Sequence, residues 1–220
     1  MFTDPATMTE EQRQWVELSR KLWRRAERIA AQHPGMDVSG VYHVLWNLRR
    51  PVEERLRRGL TRHAPVLSDT ERRFLEELNA RGVRYMVVGL SAATVQGANT
   101  STQEIDLWFA IISDPQIGPA AAAAGGIWVS GFGMMPAQLG GALGDRFDVV
   151  NSMSGLGTFD KEYPGALDAQ IDGVTVKVLP LSRILASKRA ADRPKDRAVI
   201  PALEETLAAI AGTAMNDDEG

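Results

Sequence analysis

The chain contains no cysteine, which excludes a disulfide framework, a thiolate metal site and a cysteine nucleophile. Histidine is nearly as scarce: His33, His43 and His63 are the three in 220 residues, and all lie in the first third. The rest of the chain therefore lacks the imidazole that a Ser-His-Asp triad or a His-rich zinc site requires. No apolar run approaches the about 20 residues of a membrane span, so no membrane partner is expected. The amino terminus is acidic and polar where a leader would be basic and then apolar, and a soluble, cytoplasmic protein is expected. A net charge of −3 and a pI of about 5.7 give no overall pull toward nucleic acid. More than half of the Lys and Arg precede Phe74, with clusters at Arg24, Arg25 and Arg28 and at Arg55, Arg57 and Arg58. Such clusters read as the solvated face of amphipathic helices or as a grip on an acidic partner.

A composition that is 44% hydrophobic can bury a substantial core. Trp15, Leu18, Leu22, Trp23, Ala26 and Ile29 recur at helical spacing from about Glu10, and Pro34 and Gly35 end that run. Val41, Val44, Leu45 and Leu48 predict a second helix, and Pro51 opens a third with Val52, Leu56 and Leu60. Residues 1–62 are thus expected to form a helical module, 63–212 an α/β domain and 213–220 a disordered tail. In the α/β part, Ser68 with Glu71 is a capping-box pattern for a helix carrying Phe74, Leu75 and Leu78 and ending at Gly82. Strands are expected at Tyr85–Val88, Ile105–Ile112, Ile127–Ser130, Arg146–Asn151, Leu167–Ile171 and Val174–Leu179. The last two flank an Asp172-Gly173 hairpin turn. Helices are expected at 91–96, 114–124 and 181–190 and from Pro194 onward. The glycine-rich stretch from Gly131 to Gly144 reads as a mobile loop. The resulting fold class is α/β (α+β), a mixed sheet flanked by helices.

The residues that point to chemistry lie in YMVVGLSAATVQGANTSTQEIDLWF, from Tyr85 to Phe109. A buried strand leads through Gly89 into a short helix, and the next strand carries Glu104 and Asp106. Alternation sends these two carboxylates to one face of an extended strand and Ile105 and Leu107 to the other. Paired carboxylates opposite a glycine turn suit a hard divalent cation whose remaining ligands are phosphate oxygens. Backbone amides at the Gly89 turn would face phosphates.

In these residues the chain resembles the nucleotidyltransferase superfamily, with the DNA polymerase β-like fold, and within it the small prokaryotic branch of AbiEii-type toxins and minimal nucleotidyltransferases. Gly89, Ala92, Gly97, Thr102 and Asp106 stand at the family's spacings, Asp148 resembles its third carboxylate, and the similarity runs from about Leu67 to Leu207. The resemblance implies NTP binding with Mg²⁺ or Mn²⁺ and transfer of NMP to a protein or tRNA acceptor, in a toxin-antitoxin or defence setting with a cognate antitoxin. It implies Glu104, Asp106 and Asp148 as metal-binding and catalytic residues, and Gly89, Ser91 and Lys188 as nucleotide-binding ones. Four positions depart from the pattern: Leu90 replaces a Gly or Ser, Gln96 stands where His is common, Thr100 where Arg is usual, and Glu104 replaces the first Asp. The alternative is an inactive relative that binds a protein or RNA through its basic helices. Gly131 and Gly133 do not make a dinucleotide fingerprint, since Pro136 occupies the third glycine position. The five tryptophans follow apolar faces and read as packing residues.

Overall fold

A computed structural model describes residues 8–32, 38–47, 49, 67–100, 102–131 and 136–217, without the side chains of 39–40, 43–44, 47 and 211–217. The expected helix from Pro51 to Leu60, its arginine cluster, and His33 and His63 lie outside the described residues. In chain order the elements are α1 (Glu10–Gln32), α2 (Val38–Asn47), α3 (Asp69–Ala80), β1 (Tyr85–Val88), α4 (Gly89–Val95), β2 (Ile105–Phe109), α5 (Ile117–Ala123), β3 (Gly126–Val129), β4 (Gln138–Gly141), β5 (Phe147–Val150), α6 (Phe159–Glu162), a 3₁₀ turn (Tyr163–Gly165), β6 (Leu167–Ile171), β7 (Val174–Val178), α7 (Leu181–Ala191) and α8 (Pro194–Asp217).

Five strands form one mixed sheet in the order β5-β2-β1-β7-β6. β2 pairs with β5 and β1 with β7 in parallel, while β1–β2 and β6–β7 are antiparallel. β1 is buried along its whole length, as its YMVV sequence requires of a central strand covered on both faces. α3 packs on the sheet through Phe74, which meets Phe147 of β5 edge-on at 5.2 Å. Phe147 and Asp148 are consecutive on β5, so they point to opposite faces. The face opposite α3 is the one that presents Asp148.

The capping box is complete: Glu71 N–H donates to Ser68 Oγ at 3.3 Å, and Ser68 N–H donates to the Glu71 carboxylate at 2.9 Å. Replacing Ser68 with alanine is expected to cost about 1 kcal/mol, measurable as a lower urea midpoint at unchanged slope.

Several elements differ from the sequence reading. β2 stops at Phe109; Ala110 N–H still donates to the Arg84 carbonyl at 2.9 Å, and the exposed Ile111 lies beyond the strand. α5 begins at Ile117, after a turn in which Asp114 accepts from Gln116 N–H at 2.8 Å. The expected loop between Gly131 and Gly144 contains β4, paired antiparallel with β3 as a separate two-stranded sheet. The chain gives no sign of this strand because its glycine answers to a distant residue. A Cβ on Gly140 would stand 2.6 Å from the Trp15 ring. α8 also runs on to Asp217, past the expected end of the domain.

The first two helices pack on this small sheet. Val16 clusters with Ile127 and Val129, Ser19 Oγ donates to Gln138 at 2.9 Å, and Trp46 Nε1 donates to Asp145 at 2.5 Å.

Candidate functional site

Asp106 and Asp148 are direct neighbours across the parallel β2–β5 ladder, and Asp106 is also paired with Val88 on β1. Adjacent strands lie about 4.8 Å apart, and residues in register share a face. The two half-buried carboxylates therefore stand side by side on the face opposite α3. β1 ends at Val88, and Gly89 turns the chain into α4 with φ of +63°. A Cβ at Gly89 would lie 1.9 Å from Asp106 Oδ2. The carboxylate thus rests directly against the glycine, which meets two demands at once: left-handed backbone and absence of a side chain.

These residues line a cleft of about 390 Å³ whose other wall is basic, with Lys188, Arg193 and Lys195. Leu90 is on the wall and does not fill the space. Glu104 borders the same cleft one residue before β2, held in place where Thr102 Oγ1 bonds its main chain. The structure therefore brings Gly89, Glu104, Asp106, Asp148 and Lys188 to one cleft. Ser91 is elsewhere: it is fully buried, and its hydroxyl donates to the Val88 carbonyl at 3.0 Å. Its place within the first turn of α4 turns the side chain back to the main chain, so Ser91 offers no hydroxyl to a ligand.

Mg²⁺ is commonly held by one or two carboxylates, with water and phosphate oxygens completing the shell. Asp106 and Asp148, level on adjacent strands, fit that two-carboxylate pattern. A ligand set of three does not form by itself: among the described residues, no three His, Cys, Asp or Glu side chains gather closely enough to hold an ion.

The basic wall is organised by one buried acid. Asp196, in the first turn of α8, has no exposed surface. Its carboxylate accepts from Lys188 Nζ at 2.9 Å and from Arg193 Nε at 2.5 Å. Burial alone would raise the Asp196 pKa, but the hydrogen bonds and charges of Arg193 and Lys188 outweigh it and hold the carboxyl below its ordinary value. Lys188 is thereby fixed at the cleft instead of extending into solvent. The sign that could have found this was KRAADRPKD, in which two helices meet at a tight corner with cations on one side and an acid on the other.

Gln96 closes the opposite end of α4. Its Nε2 donates to the carbonyls of Ala92 and Leu179, both at 2.9 Å, and its Oε1 accepts from Leu181 N–H at 2.9 Å. A larger cavity of about 940 Å³, walled by Trp108, Phe159 and Asn151, meets the cleft at Val150 and Ser152.

No protein-family model matches the chain, and no curated protein matches it in sequence. Among solved structures, ANT(2")-Ia in complex with adenylyl-2"-tobramycin is similar with a TM-score of 0.45 and 15% identity, over 66% of this chain and 92% of that one.

Proposed function

We propose that this protein binds a nucleoside triphosphate in the Asp106–Asp148 cleft and transfers its nucleotidyl group to an acceptor hydroxyl. The observation that carries this reading is the level pair of aspartates pressed against a glycine turn and faced by a basic wall. Asp106 and Asp148 are the residues that would hold Mg²⁺ or Mn²⁺, with Glu104 at the margin. When bound, such an ion neutralises charge on the attacking and leaving oxygens. Main-chain N–H groups after Gly89 approach the phosphates, and Lys188 sets a positive charge against them. The acceptor oxygen attacks the α-phosphorus, the bond to pyrophosphate breaks, and Asp148 takes the acceptor's proton. Protein and tRNA hydroxyls are the acceptors to screen first, and a toxin-antitoxin setting would supply both a target and a cognate inhibitor.

Calorimetry with each NTP, with and without Mg²⁺ or Mn²⁺, is expected to show metal-dependent binding. Labelled NTP incubated with lysate and with total tRNA is expected to mark an acceptor. The label should disappear in the Glu104→Ala, Asp106→Ala double variant. An absence of NTP binding under every condition would sink the reading.

One observation favours a second reading, a non-catalytic relative of the same fold: the three acids do not close into a ligand cluster among the described residues. In that case NTP binds without any transfer, and the two readings separate in the labelling experiment.

A further inference from the structure

Residues 151–158, between β5 and α6, form neither helix nor strand, yet with Val150 they make the wall between the acidic cleft and the larger cavity. Val150 and Ser152 line both spaces, Met153 and Ser154 line the cleft, and Leu156 and Thr158 line the cavity. A segment without a ladder of its own is placed by what it is tied to. The sheet fixes its start, where Val150 is in register with Trp108. Its two other ties lead to α7. Gly155, at φ of +68°, rests on that helix so closely that a Cβ would stand 2.4 Å from the Ala190 methyl. Gly157 N–H donates to Glu162 Oε1 at 2.9 Å. The same carboxylate accepts from Arg183 of α7, from Nε at 2.8 Å and from Nη2 at 2.6 Å. Arg183 and Ala190 lie two turns apart on one face of α7. Ser187, Lys188 and Ala191 of that helix line the cleft, so the partition is moored to the element that carries the basic wall.

Glu162 is the centre of this mooring. It is only 9% exposed, and the Arg183 hydrogen bonds outweigh its burial and hold its carboxyl below the ordinary value, so it is charged at neutral pH. A forked arginine-carboxylate pair fixes direction as well as distance. Arg183 keeps 43% of its side chain exposed, so the pair contributes little to global stability. Its effect is local, on the segment it holds.

We infer that Glu162 is a positioning residue for the transfer proposed above: by holding the Gly157 amide it sets the wall where acceptor and nucleotide meet. Only the consequence for transfer rests on that reading; the mooring itself does not. Attack needs reacting atoms about 3–3.5 Å apart, and a displacement of about 1 Å that originates far from the chemistry costs on the order of a hundredfold.

Amide hydrogen exchange reads the mooring without nucleotide or metal. In Glu162→Ala the amides of 152–157, Gly157 above all, are expected to exchange at least about tenfold faster, while those of β1 and β2 and the urea midpoint stay close to wild type. Glu162→Gln, whose amide oxygen can still accept from Gly157, should retain the protection. Transfer is measured beside NTP affinity. The labelling rate at saturating NTP should fall at least about tenfold in Glu162→Ala, metal-dependent NTP affinity should fall much less because Gly89, Asp106 and Lys188 are untouched, and Glu162→Gln should restore the rate. Gly155→Ala gives a second route that leaves Glu162 in place. Its methyl collides with Ala190 and should slow transfer, and adding Ala190→Gly removes the collision and should recover it. Unchanged Gly157 exchange in folded Glu162→Ala overturns the mooring. A rate that falls only as far as NTP affinity, or that neither Glu162→Gln nor Ala190→Gly recovers, overturns the positioning role. If the wild type transfers nothing, the proposed transfer and the positioning role fail together, while the exchange rates still decide the mooring.

Discussion

Replacing Gly89 with alanine is expected to lower the unfolding midpoint by several degrees and to reduce nucleotide binding and transfer about a hundredfold. Two separate penalties meet at this position. At φ of +63° an L-residue costs about 1–2 kcal/mol, and each 1 kcal/mol lowers the midpoint by about 2–4 °C in a protein of this size. The second penalty is a collision, since the new methyl would occupy the place of Asp106 Oδ2, 1.9 Å away. The carboxylate has to turn aside, and misplacing a reacting group by about 1 Å costs on the order of a hundredfold in rate. Gly82→Ala separates the two effects. Gly82 has φ of +67° but no heavy atom within 4 Å of its would-be Cβ, so it should show the backbone penalty and retain nucleotide binding. Scanning calorimetry and nucleotide titration of both variants decide the matter. Full binding in Gly89→Ala would show that the Asp106 carboxylate is not where the nucleotide sits.

The largest loss of stability is expected from Asp196→Ala, about 3–5 kcal/mol, as for other buried ion pairs that lose one partner. The carboxylate has no exposed surface, and its removal leaves Lys188, only 17% exposed, without its acid. Denaturant unfolding measures the loss, and a change under 1 kcal/mol would contradict it. The pH dependence has a definite sign. The native Asp196 pKa lies below its ordinary 3.8, so its stabilisation is complete above that value and disappears as pH falls through the native one. Wild type should therefore lose more stability than Asp196→Ala on acidification below about pH 4. Lys188, released from its partner, should also bind triphosphate more weakly.

Local signals carried much of this fold. The buried strand β1, the capping box before α3 and the Asp172-Gly173 turn, with both residues at positive φ, each depend on neighbours within a few positions, and each could be read along the chain. β4 could not, because QLGG has no strand propensity and Gly140 is dictated by Trp15, far away in sequence. The same division runs through the site. The acid-x-acid spacing named Glu104 and Asp106, yet what sets Asp106 beside Asp148 is a register between strands 42 residues apart. The resemblance implies Ser91 as a nucleotide-binding residue, but the hydroxyl's direction depends on a helical turn that sends it to the Val88 carbonyl. Trp15, Trp23 and Trp46 read as packing residues, and they do pack, Trp15 on Trp46 and Trp23 on Tyr42; that their rings also enclose a space beside Glu104 and Asp148 arises from how two helices meet a distant hairpin.

Gln96 ties the end of α4 to the carbonyl of Leu179 and the amide of Leu181, so the glycine turn and the helix bearing Lys188 are yoked through one side chain. A hinge between them would break several bonds at once. A nucleotide bound as proposed would then enter and leave past the facing rim, where the segment after β5 carries Ser152, Met153 and Ser154, with the yoked side as a stationary anvil.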